Sequence, residues 1–300
     1  MGLFNGEVVL VTGAGRGIGR DEALIAAQEG ARVVVNDLGG GFDGTGADAG
    51  PAQAVVDEII ANGGEAVANT GSVSSWSDAE AMVQQAIDAF GDLHAVINNA
   101  GVLRDRMLVN MTEDDWDTVM AVHLKGTFGP TRHAAGYWRE RSKAGDDQPR
   151  RIVNTTSGSG LYANIGQANY GAAKSGIATF TQIIAKELAR YGVRANAISP
   201  VAATRMTLSV PGADGRIDPD DPKWQPAHPA TLAVYLASPA CRFTGQIFRV
   251  FGSQITLQQS WGHTDLAVAA GDDPWEAGAL AEALESIPAV APLNRPQRAT

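Results

Sequence analysis

Short apolar runs alternate with longer amphipathic segments along most of this chain. The apolar runs are rich in β-branched residues and end at glycine, asparagine or serine, which is typical of buried strands. The longer segments carry apolar residues at helical spacing. The predicted strands are Glu7–Thr12, Ala31–Asp37, Ala66–Asn69, Leu93–Asn98, Arg151–Thr156, Val193–Ser199 and Gln246–Phe251. The predicted helices are Arg20–Gln28, Ala52–Asn62, Ser77–Phe90, Glu113–Arg141, Asn169–Tyr191 and Pro229–Ala237.

This alternation predicts an α/β fold of the Rossmann type. Strands that are separated by helices need crossover connections, which make the strands parallel and cover both faces of the sheet. We therefore expect a doubly wound parallel sheet of about seven strands, with helices on both faces, in a single domain over residues 1–265. Residues 266–300 combine an alanine-rich patch with prolines, and we expect them to form a C-terminal extension.

Two segments depart from the alternation. Residues 39–46 are rich in glycine and predict a mobile loop. Residues 204–229 contain five prolines and form a long connection before the last predicted helix and strand. We interpret this connection as a substrate loop or lid, with a plain surface excursion as the alternative.

Composition narrows the class of protein. The net charge of −10 argues against nucleic acid or an anionic membrane as the main partner. No stretch approaches the roughly 18 apolar residues of a membrane span. The single cysteine, Cys241, excludes a disulfide within the chain, and we interpret it as a packing residue. The histidines lack metal-ligand spacing, so we expect no metal site. The N-terminus has no signal-peptide pattern, and we expect a cytoplasmic protein.

A glycine-rich loop, residues 12–19, follows the first strand and opens the first helix. Its glycines permit a tight turn and bring backbone N–H groups against a pyrophosphate at the positive end of the helix. Asp37 lies 20 residues after Gly17, where a carboxylate binds both ribose hydroxyls of NAD and repels the 2′-phosphate of NADP. The Arg16 guanidinium in the same loop can accept the 2′-phosphate of NADP, but we expect NAD rather than NADP. The alternatives to a cofactor site are that the glycines form a plain turn and that Asp37 only opens the turn that follows it.

Asn98–Gly101 ends the fourth strand, at the carboxyl edge where ligands bind in open α/β sheets. The small residues of this segment permit the close approach of a cofactor ring. The asparagine side chains can tie adjoining strand ends together.

Tyr170 and Lys174 give the strongest chemical indication. They are four residues apart on a predicted helix and therefore share one face. A neighbouring ammonium, together with the positive nicotinamide of an oxidised cofactor, favours the phenolate and lowers the phenol pKa from its ordinary value near 10. Ser157 lies 13 residues before Tyr170 and can hold a substrate oxygen on which negative charge develops. Ser159 is the competing serine. The set predicts an oxidoreductase that transfers hydride.

These segments together resemble the short-chain dehydrogenase/reductase family. Longer stretches are similar to the dehydrogenase units of peroxisomal multifunctional enzymes of type 2, over about residues 5–262. The stretches are Val35–Gly40, Asn98–Arg106, Val122–Gly126, Gly166–Tyr170 and Thr204–Thr207. The resemblance implies oxidation of a (3R)-hydroxyacyl-CoA, or of a steroid-derived relative, to the 3-ketoacyl-CoA with NAD. It also implies a homodimer or homotetramer that assembles through the long fourth and fifth helices.

The resemblance also assigns site residues. His123 stands where the broader family has the asparagine of a water relay; a packed core imidazole is the alternative. Gly71 and Ser72 stand where the family often has an aspartate beside the adenine, and Thr204 is expected at the nicotinamide carboxamide. The expected catalytic residues are Ser157, Tyr170, Lys174 and His123. The expected cofactor contacts are Gly13, Arg16, Gly17, Ile18, Gly19, Asp37, Ser72, Val73, Asn99, Ala100, Gly101, Tyr170, Lys174, Pro200 and Thr204.

Two alternatives to this function stay open. One is a related dehydrogenase for a free sterol or another hydrophobic secondary alcohol. The other is an NAD-binding sensor or scaffold without turnover. A CoA substrate predicts that Arg104, Arg106 or Arg205 near the mouth of the site contributes to KM.

Overall fold

The computed structural model describes residues 2–209, 217–259 and 276–285, which form one large sheet covered by helices and one separate helix near the C-terminus. The predicted α/β architecture of the Rossmann type is confirmed. The strands are β1 (Val8–Thr12), β2 (Arg32–Asn36), β3 (Glu65–Asn69), β4 (Ala95–Asn98), β5 (Arg150–Thr155), β6 (Val193–Val201), β7 (Ile247–Phe251) and β8 (Gln254–Gln258). The helices are α1 (Gly17–Gln28), α2 (Gly50–Ala61), α3 (Trp76–Phe90), α4 (Glu113–Met120), α5 (Gly126–Lys143), α6 (Gly158–Tyr162), α7 (Ala168–Glu187), α8 (Arg205–Leu208), α9 (Ala227–Ala237) and α10 (Ala277–Glu285).

The strand order places a topological switch at the centre of the sheet. The order is β3-β2-β1-β4-β5-β6-β7-β8, with all neighbours parallel except the antiparallel pair β7 and β8. The chain winds outward in one direction from β1 and in the other direction from β4. A crevice therefore opens beyond the carboxyl ends of β1 and β4, which is where open α/β sheets bind their ligands.

The central strands have no solvent-exposed face, which explains their unbroken apolar runs. Every residue of β1 is buried. Val9 and Val11 pack in a cluster with side chains of α1, α2 and α9, whereas Val8 and Leu10 pack in a second cluster with α3, α5 and α7. Because successive side chains of a strand point to opposite faces, the two clusters show helices on both sides of the sheet.

Besides the short helices α6 and α8, which were not predicted, the structure differs from the sequence prediction in two elements. The eighth strand, β8, was not predicted: it follows β7 through a two-residue turn in which Gly252 has a φ of +54°. The helix that we predicted over Glu113–Arg141 is α4 and α5, joined by a turn of π-helix at Ala121–Lys125. This wider turn carries His123, and π-helical turns are frequent at functional sites.

The chain divides into two compact units, Met1–Gln258 and Gln259–Thr300. The first contains the sheet, and the described part of the second is α10. The predicted boundary at residue 265 and residues 210–216 of the predicted lid lie outside the described residues. Within the described ranges, no helix is long and apolar enough to cross a membrane, and no group of three His, Cys, Asp or Glu side chains could hold a metal ion.

Candidate active site

The glycine-rich loop between β1 and α1 is shaped by close contacts at two of its glycines. Gly13 and Gly17 have φ angles of +66° and +57°, in the left-handed region that favours glycine. A Cβ atom on Gly13 would lie 2.7 Å from the Cα of Ala100, and one on Gly19 would lie 2.2 Å from the carbonyl oxygen of Gly13. The glycines therefore let the loop lie directly against the end of β4, with the N-terminus of α1 behind it.

Hydrogen bonds fix the ends of the central strands to one another. Thr12 Oγ1 accepts from the backbone N–H groups of Asn99 (3.1 Å) and Ala100 (3.2 Å). Asn99 Nδ2 donates in return to the carbonyl oxygens of Thr12 and Gly13. Asn98 Nδ2 donates to Asn154 Oδ1 on β5 at 2.9 Å. The prediction that these asparagines tie adjoining strand ends is confirmed.

Asp37 joins the end of β2 to the glycine loop. Its Oδ2 accepts from the backbone N–H of Gly15 at 2.7 Å, and its Oδ1 accepts from the backbone N–H of Gly39 at 2.6 Å. The carboxylate thus opens the following turn, as the alternative interpretation proposed, and also lines the cavity described next. These two roles are compatible.

A cavity of about 400 Å³ lies at the carboxyl edge of the sheet. Of the predicted site residues, Gly19 alone is not part of its lining; it is buried beneath Gly13. The predicted residues that line the cavity are Gly13, Arg16, Gly17, Ile18, Asp37, Ser72, Val73, Asn99, Ala100, Gly101, His123, Ser157, Tyr170, Lys174, Pro200 and Thr204. A glycine cradle at a helix N-terminus with a carboxylate beside it suits a dinucleotide, so the residues fit the cofactor that the sequence predicts.

Sequence reasoning missed part of the cavity wall. The missed residues include Leu38, Phe42 and Gly44 from the glycine-rich loop after β2, Val102 after β4, Val122 on the π-helical turn, and Met206 and Thr207 on α8. Most of them belong to loops or short helices, whose path through space has no periodic pattern in the sequence.

Tyr170, Lys174 and Ser157 meet in one part of the cavity. Tyr170 and Lys174 lie one turn apart on α7, and Lys174 Nζ is 5.6 Å from the centre of the Tyr170 ring. Lys174 Nζ also donates to the carbonyl oxygen of Thr155 at 2.6 Å. Ser157 begins α6 and hydrogen-bonds the Tyr170 side chain. The competing Ser159 instead donates its hydroxyl to Gln167 Oε1 at 2.6 Å, so the geometry favours Ser157.

Burial dominates the electrostatics of this cluster. Burial raises the pKa of the Tyr170 phenol to about 12. The hydrogen bond with Ser157 lowers this pKa in part, and the Asp105 carboxylate raises it. Burial also lowers the pKa of the Lys174 ammonium to about 7. The lowering of the phenol pKa that the sequence predicts depends on Lys174 together with an oxidised nicotinamide, and it stays a prediction; for the protein's own residues, burial disfavours the phenolate.

His123 is buried and at the same time part of the cavity wall. Its Nε2 lies 2.7 Å from the carbonyl oxygen of Val102, and its ring meets the Tyr170 ring edge-on at 5.1 Å. Burial and the nearby Lys174 keep the pKa of the imidazole well below its usual range, so the ring is neutral. Nε2 also lies 3.1 Å from the backbone nitrogen of Val102, so it donates to or accepts from Val102 according to the tautomer, while Nδ1 has no hydrogen-bond partner in the described part of the chain.

The arginines near the mouth are mostly engaged with protein groups. Arg106 Nε donates to Asp115 Oδ2 at 2.7 Å. Arg104 donates to the carbonyl oxygen of Asp43 and forms an ion pair with Asp114. Arg205, on α8, lines the cavity itself. Of the three arginines that we considered for a CoA substrate, Arg205 alone faces the cavity.

Comparison with known proteins agrees with this geometry. The family model described as short chain dehydrogenase matches residues 7–211. The chain is 45% identical over 285 residues to hydroxyacyl-CoA dehydrogenase ChsB1 of Mycobacterium tuberculosis, covering 91% of this chain and 86% of that protein. It is 42% identical over 249 residues to peroxisomal multifunctional enzyme type 2 of Mus musculus, covering 82% of this chain but 32% of that longer protein. A crystal structure of a short chain dehydrogenase from Mycobacterium avium superposes with a TM-score of 0.85 at 48% identity, covering 95% of both chains.

The fold and the cavity define an α/β oxidoreductase with a nicotinamide dinucleotide site. More narrowly, the chain belongs to the short-chain dehydrogenase family. It is therefore an enzyme that acts on CH–OH groups, in a family that uses NAD or NADP. This membership favours an enzyme over the sensor without turnover that the sequence left open.

Proposed function

We propose that the protein oxidises a (3R)-hydroxyacyl-CoA, or a steroid-derived acyl-CoA of the same type, to the 3-ketoacyl-CoA with NAD. The observation that carries this proposal is the group of Tyr170, Ser157 and Lys174 at the wall of a cavity that also contains a glycine cradle and Asp37. The substrate class is supported by relatives, one of which is named a hydroxyacyl-CoA dehydrogenase.

The proposed chemistry divides between cofactor and protein. A bound nicotinamide supplies the hydride acceptor, and its positive charge acts to lower the phenol pKa. Ser157 donates a hydrogen bond to the substrate oxygen and keeps it beside Tyr170. As the phenolate, Tyr170 would take the hydroxyl proton while the hydride leaves the carbinol carbon for the cofactor and the carbon–oxygen double bond forms. Lys174 has a pKa of about 7 and can exchange this proton near neutral pH.

His123 belongs to the proposed proton path behind this group. Its neutral ring meets Tyr170 edge-on, and Nδ1 is the ring nitrogen without a hydrogen-bond partner among the described residues. A neutral acceptor at this depth is consistent with passing a proton, but not with holding a positive charge.

The choice of NAD is supported by the position of Asp37. Its carboxylate lines the cavity at the end of β2, beside the glycine loop. A negative charge there attracts the hydroxyls of an unphosphorylated ribose and repels a 2′-phosphate. Arg16 lines the same cavity, and Asp37 carries the discrimination in this proposal.

We also propose a homo-oligomer, either a dimer or a tetramer. Trp76 at the start of α3, Phe128 on α5 and Ile183 on α7 are exposed, and Phe128 packs against Phe180 of α7. The apolar face formed by Trp76, Phe128, Phe180 and Ile183 is of the kind that subunits cover. Most of this face lies on α5 and α7, which correspond to the fourth and fifth predicted helices, through which the resemblance implies assembly.

The test of the reaction is a substrate panel with a matched variant. Purified enzyme is assayed with NAD and NADP on (3R)- and (3S)-hydroxyacyl-CoAs and on free sterols. We expect turnover of the (3R)-acyl-CoA with NAD. Tyr170→Phe should lower kcat by about 10²- to 10⁴-fold and leave the Kd for NAD unchanged, because only the proton path is removed. Turnover of free sterols alone would contradict the acyl-CoA assignment, and full activity of Tyr170→Phe would contradict the role of the phenol.

A further inference from the structure

The glycine-rich segment after β2 is a closed loop rather than an open excursion. Its ends meet where the backbone N–H of Asp48 donates to the carbonyl oxygen of Leu38 at 2.9 Å. Inside it, Gly41 N–H donates to the carbonyl oxygen of Thr45 at 2.7 Å, and Asp43 Oδ1 accepts from Thr45. Compact surface loops with joined ends are often functional. We call residues 38–48 the strap.

The strap is attached at its far side to the segment that follows β4. The backbone N–H of Leu103 donates to the carbonyl oxygen of Phe42 at 2.9 Å. Arg104 Nε donates to the carbonyl oxygen of Asp43 at 2.7 Å. A Cβ atom on Gly44 would lie 3.4 Å from side-chain atoms of Val102 and of Thr118 on α4, so the strap packs against this region. It therefore bridges the end of β2 and the chain beyond β4.

Between its two attachments the strap forms a wall of the cavity. Leu38, Gly40, Gly41, Phe42 and Gly44 all contribute to the lining, in the residues directly after Asp37. Asp37 is the residue that we propose to bind the ribose of the adenosine half. The strap therefore belongs to the adenosine end of the cavity, whereas Tyr170 and Ser157 belong to the catalytic end.

Arg104 is suited to hold this wall in place. Its side chain is one-quarter exposed, and its guanidinium is oriented from α4 by an ion pair with Asp114 (3.2 Å) and a longer one with the buried Asp115 (3.9 Å). Arg106 shares the Asp115 carboxylate at 2.7 Å. Among the described residues, Arg104 is the arginine whose side chain donates to the strap.

We propose that the strap closes over the adenosine half of the bound dinucleotide and that Arg104 is the positioning residue that keeps it closed. This proposal rests on the dinucleotide site proposed above. Closing a loop over a ligand slows its exit, so the strength of the Arg104 contact sets the rate at which the cofactor is exchanged.

The test compares two arginine variants and two ligands. Arg104→Met keeps the apolar stem of the side chain but removes the donor to the carbonyl oxygen of Asp43. Arg106→Met is the matched control, because it removes the other arginine that pairs with Asp115 and no hydrogen bond to the strap. We expect Arg104→Met to raise the Kd for ADP-ribose, measured by calorimetry, by about three- to tenfold. Its release of NADH, followed by fluorescence, should accelerate by a similar factor. Nicotinamide mononucleotide, which lacks the adenosine, should inhibit all variants equally.

Phe42→Ala provides a second test if Arg104→Met does not fold. This variant removes the largest side chain of the strap from the wall and should weaken ADP-ribose binding while sparing nicotinamide mononucleotide. Unchanged ADP-ribose affinity in the folded variants, or an equal loss of affinity for ADP-ribose and nicotinamide mononucleotide, overturns the role proposed for the strap. Either result leaves the proposed function intact. If the unmodified enzyme binds neither NAD nor ADP-ribose, the proposed function fails and the strap fails with it.

Discussion

Tyr170 and Lys174 have pKa values that burial shifts in opposite directions. Burial pushes the pKa of the phenol up to about 12 and that of the ammonium down to about 7. Lys174 therefore loses its proton near neutral pH and becomes an amine, which can accept the proton that Tyr170 takes from the substrate.

The lowered pKa of Lys174 predicts the pH dependence of alcohol oxidation. The rate needs Lys174 as the neutral amine, so kcat/KM should rise between about pH 6 and 8 and then level off. Lys174→Met removes the group with the lowered pKa, and the rise should then move above about pH 9. The measurement is kcat/KM against pH for both enzymes. Profiles that coincide would show that Lys174 does not set the titration.

Asp37 gives a second prediction at the scale of one residue. Asp37→Ala removes the charge that repels a 2′-phosphate and leaves Arg16 at the cavity. We expect the ratio of kcat/KM for NAD over NADP to fall by about tenfold or more, since a tenfold change corresponds to about 1.4 kcal/mol and one unfavourable charge contact can supply this free energy. The same steady-state assay with both cofactors checks this. An unchanged ratio would remove Asp37 from cofactor selection.

At the scale of elements, helix α1 contains a buried carboxyl group in the segment that follows the cofactor loop. Glu22 lies on its buried face with an exposure of 0%. Neither of its carboxylate oxygens has a hydrogen-bond partner among the described residues. Burial raises the pKa of this carboxyl well above its usual range, and nearby Asp21 adds to the effect. Such a group destabilises the fold when it must ionise.

The sign of the pH effect follows from the raised pKa. The folded protein binds the Glu22 proton more tightly than the unfolded chain does. The contribution of this proton to the free energy of unfolding is therefore complete below the pKa of Glu22 in the unfolded chain, and it is lost as the pH rises through the pKa in the folded protein. We expect Glu22→Met to raise the free energy of unfolding at pH 8 by about 1–3 kcal/mol and to flatten its fall above pH 5. Denaturant titrations at several pH values test this. A destabilised Glu22→Met would show that the carboxyl has a favourable partner.

The elements that could be predicted are those with a clear pattern in the sequence, either an unbroken apolar run for a buried strand or helical spacing with a recognisable cap. β1, β2 and β4 are buried on both sides and read as continuous apolar runs, and α3 has a serine cap at Ser75 with a glycine end at Gly91. β8 was missed because it is an edge strand: Gln254 to Leu257 are exposed, so no buried face constrains their pattern. The π-helical turn at His123 was missed because periodicity does not distinguish it from α-helix.

At the scale of the whole molecule, the sheet explains why so much of the site could be predicted. Gly13, Asp37, Asn99 and Ser157 are far apart in sequence, yet each follows or ends a parallel strand. Parallel strands bring such residues to one edge, so position relative to a strand was sufficient to place them. Phe42, Met206 and the electrostatics of Tyr170 could not be placed in this way, because they depend on loop paths and on depth of burial.

The apolar face of α3, α5 and α7 carries the prediction for the assembled molecule. Exposed Phe128 and Ile183 lie on helices whose inner faces already pack on the sheet, and we propose that another subunit covers their outer faces. Phe128→Glu combined with Ile183→Glu should convert the oligomer to a smaller species in light scattering. Ile60→Glu, at an equally exposed site on α2, should leave the mass unchanged. Because like charges facing each other across a symmetric interface repel, an unaltered mass in the double variant would exclude this face from the interface.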